Sequence, residues 1–150
     1  MKWGRVSFLR LIMTAALLIL ATSPLAISGE PAAESPPAGS PLRREILTAL
    51  RQRFTDLPVT PVVFIVRHLK VAGNWAYLIA DLSSRDGRAH YEPVEVLLHC
   101  RQGQWEPLEF RPSGGECEED PDCADDQRYY LRLRQKYPSV PVAIFPRLHN

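Results

Sequence analysis

The sequence predicts an α+β fold: an N-terminal helix packed on a four-stranded antiparallel sheet made of two hairpins, then a C-terminal helix and an extended tail. Three observations predict it. Two runs dense in β-branched and aromatic residues, Val62 to Val71 and Trp75 to Leu82, flank a short turn at Ala72-Gly73-Asn74. A second pair, Val94 to Cys100 and Trp105 to Phe110, flanks Gln102-Gly103-Gln104. Apolar residues at helical spacing precede the first pair and follow the second.

The chain opens with Lys2, Arg5 and Arg10, continues through the apolar run Leu11 to Leu20, and reaches small residues at Ala26-Ile27-Ser28. That order is the pattern of a secretory signal peptide over residues 1–28, cleaved near Ser28 and Gly29. The rival reading is a retained anchor, but the uninterrupted apolar run is shorter than the ~20 residues of a membrane span and Pro24 interrupts its far side. No Cys follows the run, so it offers no site for an N-terminal lipid. The expected product is a periplasmic or secreted chain that meets the membrane only through its signal peptide before cleavage.

Removing residues 1–28 takes away three basic residues and no acidic one. The remainder carries 15 Lys and Arg against 17 Asp and Glu, a formal charge of −2. A mildly acidic chain lacks the clustered basic surface by which nucleic acid is bound, so no nucleic-acid partner is expected. Residues 29–41, rich in Pro and Ala, hold too little apolar surface to fold and read as a flexible or partly polyproline spacer. Residues 42–150 then form a single α+β domain.

Ser40 and Pro41 suit the N-cap and first position of a helix, and Leu42, Ile46, Leu50 and Phe54 follow on one side of it. Asp56, Pro58 and Pro61 end it. Strict alternation in the first strand places Val63, Ile65, Arg67, Leu69 and Val71 on one face and Val62, Phe64, Val66, His68 and Lys70 on the other. The second strand divides into Trp75, Tyr77 and Ile79 against Ala76, Leu78, Ala80 and Leu82. The small residues of that second set let the helix approach closely. Asp86-Gly87 supplies the next reversal, and the third strand alternates Val94, Val96, Leu98 and Cys100 with a wetter face of Glu95, Leu97 and His99. Pro107 cannot donate to a ladder, which places the last strand at a sheet edge.

Both hairpin turns read Gly, a polar amide, then Trp: Gly73-Asn74-Trp75 and Gly103-Gln104-Trp105. Either Gly takes positive φ while Trp caps the start of a half-buried strand, or the paired tryptophans line a binding surface. The order of one helix and two hairpins over residues 42–111, with this Gly-x-Trp motif, resembles the cystatin-like and NTF2-like folds, the motif being similar to one in exported bacterial NTF2-like proteins. A single N-terminal helix departs from the NTF2 pattern of several. The mature chain also resembles a small family of uncharacterised periplasmic bacterial proteins, a likeness that implies no activity.

Three cysteines in an exported chain predict one disulfide and one free thiol. Closing the short Cys117–Cys123 loop contributes ~2.4 kcal/mol by loop entropy, against about 3 for a bridge from Cys100, so energy does not choose between them. Cys100 sits on the more apolar face of its strand, which favours Cys117–Cys123. The acidic residues around that pair lack the ligand spacing and central Gly of a calcium loop. Asp120 followed by Pro121 instead reads as a helix start, with Asp122, Asp125 and Asp126 at the end where the dipole favours negative charge. Tyr130, Leu133 and Tyr137 give that helix a packing stripe, and Val140, Val142, Ile144 and Phe145 follow as an apolar tail.

No hydrolase, metalloprotease, phosphate-loop or Cys-x-x-Cys motif is present, and no catalytic residue, metal ligand or cofactor is expected. His68, His90 and His99 are the candidates for acid–base work with Asp81 or Glu95. His99 points away from Cys100 across the strand and cannot readily activate it. The functional expectation is therefore a small exported binding or accessory protein without catalysis, of inhibitor or immunity type, with an unknown envelope protein as partner. The alternative is an NTF2-like small-molecule pocket or enzyme. The candidate binding residues are Trp75, Trp105, Tyr77, Arg67 and His99.

Overall fold

The computed structural model describes residues 30–55 and 62–147. The expected signal peptide lies outside them, as do the helix-terminating Asp56, Pro58 and Pro61. The fold is α+β around a four-stranded antiparallel sheet: β1 (Val63–Ala72), β2 (Trp75–Ser83), β3 (His90–Arg101) and β4 (Gln104–Phe110), ordered β1-β2-β3-β4. Each strand pairs with the next in sequence because each connection is a short turn. At the β3–β4 turn both Gln102 (φ 51°) and Gly103 (φ 77°) are left-handed, the backbone of a tight two-residue hairpin.

Helix α1 (Pro41–Arg51) begins where Ser40 accepts the N–H of Arg43 with its side chain, and Pro41 occupies the first turn. Its Ile46 and Leu50 are fully buried in one cluster with Ala76, Leu78, Ala80 and Leu82 of β2 and Val94, Val96 and Leu98 of β3, while the helix backbone itself comes nearest to β4. Burying such aliphatic side chains contributes roughly 1.5–3 kcal/mol each. The division of β2 into two faces is as the alternation predicts.

Strand β1 departs from strict alternation. Val66 pairs with Ala80 but His68 pairs with Ile79, so Arg67 is an extra residue, a β-bulge. The slip puts Val62, Phe64 and Val66 on the α1 face before the bulge and Leu69 and Val71 on that same face after it. A bulge lets one strand bury apolar residues from both of its alternating sets. A similar slip at β4 sets Leu98 opposite Pro107 at the sheet edge, where the missing N–H breaks no interior ladder.

The opposite face is closed by the C-terminal part of the chain. Short helices α2 (Gly115–Glu118) and α3 (Pro121–Ala124) lead to α4 (Asp126–Lys136) and a 3-10 turn at Val142–Ile144. One continuous helix from Pro121 was the expectation; Asp125 is extended instead (φ −99°, ψ 117°) and caps α4 by accepting the Arg128 N–H at 2.8 Å. Two acidic caps, Asp120 on α3 and Asp125 on α4, each satisfy orphan N–H groups, and the second breaks the run. Tyr129, Tyr130, Leu133, Val140, Ile144 and Phe145 bury themselves on Trp75, Tyr77 and Leu97. The face of β3 expected to be wetter is thus covered, with Leu97 fully buried.

The Pro/Ala-rich stretch is not free where it is described. Glu34 exchanges both main-chain hydrogen bonds with Val71 at 2.8 Å, Pro36 is buried, and the Pro36 carbonyl accepts from Arg43 at 3.2 Å. Low apolar content does not prevent a segment from docking on the unpaired edge of β1.

Candidate functional site

Two features of the C-terminal face combine polar chemistry with burial. The first centres on Arg111, immediately after β4. Its guanidinium donates to the Cys123 carbonyl through Nε (2.9 Å) and Nη2, and through Nη1 to Glu95 (3.2 and 3.3 Å) and Asp126 (2.7 Å). It also lies 4.9 Å from the centre of the Tyr129 ring. The Tyr77 hydroxyl donates to the other side of this cluster, reaching Glu95 at 2.9 Å.

Burial opposes the charge of Arg111, yet Asp126 and Glu95 hold its pKa above the ordinary value. Burial first, and then the Glu95 charge, push the Tyr77 phenol far above its ordinary range. Tyr130 is pushed up to about 12 by burial and by Glu95. Tyr77 thus acts as a fixed donor and Arg111 as a fixed cation, and neither exchanges a proton near neutrality. Their chemistry here is that of a clamp. It ties the sheet, through Glu95, to the loop closed by the Cys117–Cys123 disulfide, whose Cα atoms are 5.1 Å apart. Cys100 is the free thiol.

The second feature is a groove of about 650 Å³ between α4, the 3-10 turn, the end of β1 and the N-terminal segment. Tyr130 and Phe145, stacked at 4.7 Å with planes 16° apart, line it, and Leu131 and Val142 remain about half exposed there. Lys70, Arg134 and Arg147 also line it. At its rim the Val142 N–H donates to the Glu30 carboxylate at 2.6 Å. No group of His, Cys, Asp and Glu suited to a metal ion occurs among the described residues.

The structure gathers some of the residues expected from sequence and separates others. Trp75, Tyr77 and His99 share the C-terminal face. Trp75 is buried, 4.2 Å from His99 and 5.9 Å from Tyr137 between ring centres. His99 accepts from Arg101 at 3.2 Å, and its pKa is lowered by burial and by the Arg101 charge, with Glu106 opposing. Trp105 packs on the other face and borders a depression with Thr48 of α1 and Gln52 just after it. The two tryptophans therefore form no common surface. Arg67 stands at the β1 bulge, half exposed, and pairs with Asp81 at 2.9 Å.

His68 and His99 meet other partners than those anticipated. His68 Nε2 bonds the Ile144 carbonyl at 2.8 Å, while Glu95 and Asp81 are taken by Arg111 and Arg67. Sequence reasoning passed over Arg111 and the whole groove. One signal was present: Leu131 is an apolar residue beside, not within, the Tyr130, Leu133 and Tyr137 stripe, the position of a side chain that a helix leaves in water. No protein-family model, curated protein or solved structure matches the chain.

Proposed function

We propose that this chain is an exported binding or accessory domain, of inhibitor or immunity type, and that it binds through the groove beside α4. One observation carries the reading: an apolar concavity of about 650 Å³ keeps Leu131 and Val142 half exposed although the rest of that face is packed. Apolar concave surface with a few convergent polar groups is the usual form of a ligand or partner site. The disulfide supports the exported compartment, since such bonds persist under oxidising conditions. The NTF2-like alternative needs a cavity at the sheet face around Tyr77, and there Tyr129, Tyr130, Leu133 and Phe145 occupy the space.

The test is capture of envelope proteins on the immobilised chain from residue 29 onward, under oxidising conditions, with mass spectrometry of what is retained. A specific partner should be retained by the unmodified chain and by Trp105→Ala, and lost with Leu131→Asp. Leu131 is exposed, so that substitution leaves the fold in place. Retention of nothing specific, or a partner indifferent to Leu131→Asp, removes the groove from the reading.

A further inference from the structure

The groove's charge is as one-sided as its floor is apolar. Lys70 comes from β1, Arg134 from α4 and Arg147 from the segment after the 3-10 turn, and none pairs with a carboxylate among the described residues. Arg111, Arg132 and Lys136, which lie on the same side of the sheet outside the groove lining, are each matched to a carboxylate; what marks Lys70, Arg134 and Arg147 is that three elements bring them to one apolar groove. The carboxylate on the rim, Glu30, is held by the Val142 N–H and leaves the three cations uncommitted.

We propose that the groove binds a single-chain anionic amphiphile, a long-chain carboxylate, with the hydrocarbon on Leu131, Val142 and Phe145 and the head group among Lys70, Arg134 and Arg147. This rests on reading the groove as the binding surface and names its ligand class. A wholly apolar ligand would cover the aliphatic stems of the cations while offering their heads nothing. A small inorganic anion would satisfy the heads and leave Leu131 and Val142 in water. Only a molecule with both parts uses the whole lining, and a planar carboxylate matches the guanidinium of Arg134 or Arg147 in bidentate geometry. A peptide added to the sheet is disfavoured, because at the end of β1 beside Lys70 the outward N–H and C=O of Val71 are already bonded to Glu34.

The experiment is calorimetric titration of the chain from residue 29 onward with sodium laurate below its micelle concentration. One saturable site is expected, with 1-dodecanol at least roughly tenfold weaker and sodium acetate silent. Arg134→Gln and Lys70→Gln should each weaken laurate by about tenfold without moving the melting temperature, and Leu131→Asp should abolish binding. Dodecanol binding as tightly as laurate, or laurate indifferent to both cation variants, overturns the head-group assignment. Adsorption to anionic phospholipid vesicles without binding of free laurate overturns it in favour of a membrane surface. Should laurate fail while Leu131→Asp still abolishes partner capture, the groove is a protein-binding surface and only the amphiphile proposal falls. If Leu131→Asp changes neither, both readings fall.

Discussion

On the α1 face of the sheet the buried side chains are aliphatic apart from Phe64, among them Ile46, Leu50, Leu69, Leu78, Val96 and Leu98, with the partly buried Phe54, Tyr91 and Trp105 packed against them. On the C-terminal face half of them are aromatic, Trp75, Tyr77, Tyr129, Tyr130 and Phe145, and two of these rings, Tyr77 and Tyr129, meet the ion cluster of Arg111, Glu95 and Asp126. Aliphatic packing requires volume and patterning, which many sequences supply. Ring packing with buried donors and acceptors requires particular partners at particular angles. The face with the more exacting chemistry is also the one that carries the groove.

The largest expected effect is on the aliphatic face. Leu78 is fully buried, and Leu78→Ala removes its contacts and leaves a cavity, at a cost of about 4 kcal/mol within the usual range for such sites. Because Leu78 belongs to the core cluster shared by α1, β1, β2 and β3, the loss should appear as a lower midpoint in a denaturant melt followed by any probe. A melt in which the Trp75 signal, read in a Trp105→Phe background, holds while far-ultraviolet dichroism falls would show that the two faces unfold separately.

Arg111→Ala attacks the other face. It leaves Glu95 and Asp126 without their cation and the Cys123 carbonyl without its donor, and should cost about 3 kcal/mol, the lower end for a broken buried pair since Glu95 is 24% exposed. Amide exchange should quicken in α3 and α4 and stay slow in α1 and β2. Pairing Arg111→Ala with Glu95→Gln should recover part of the loss, because no uncompensated charge then remains at Glu95 and the Gln carbonyl can still accept from Tyr77. Equal acceleration throughout would make the sheet and both layers one cooperative unit, and the distinction between faces would be compositional only.

The same contrast governs what was legible in the sequence. Periods of two and of 3.6 identify Ala76, Leu78, Ala80, Ile46 and Leu50 directly, because a local pattern decides which side meets the core. The bulge at Arg67 was hidden, since Val62, Phe64 and Val66 before it and Leu69 and Val71 after it satisfy an unbroken strand equally well. Arg111 was hidden for another reason. Its partners lie 12 to 16 residues away on three different elements, and no spacing rule relates them. The groove has the same origin: Lys70, Leu131 and Val142 become neighbours only after α4 and the tail fold back on the sheet. Trp75 and Trp105 were legible as turn residues, but the face each one takes depends on register, and register put them on opposite sides.

The smallest effect locates the outer boundary of the aromatic face. His99 lies against Trp75 at the sheet end, and burial, then the Arg101 charge, lower its pKa below the ordinary 6.5. Above pH 6.5 folded and unfolded chains both hold it neutral, so it contributes no pH dependence. As pH falls below 6.5 the unfolded chain takes up the proton first, and stability declines until the folded imidazole also titrates. A ring-proton titration by NMR should give His99 a midpoint below 6.5, and His99→Gln should remove a small part of the stability loss between pH 6.5 and about 5. A midpoint at 6.5 would mean that water reaches the imidazole in spite of Trp75. The ordered aromatic layer would then end at Trp75 and Tyr137, and the variant would match the parent at every pH.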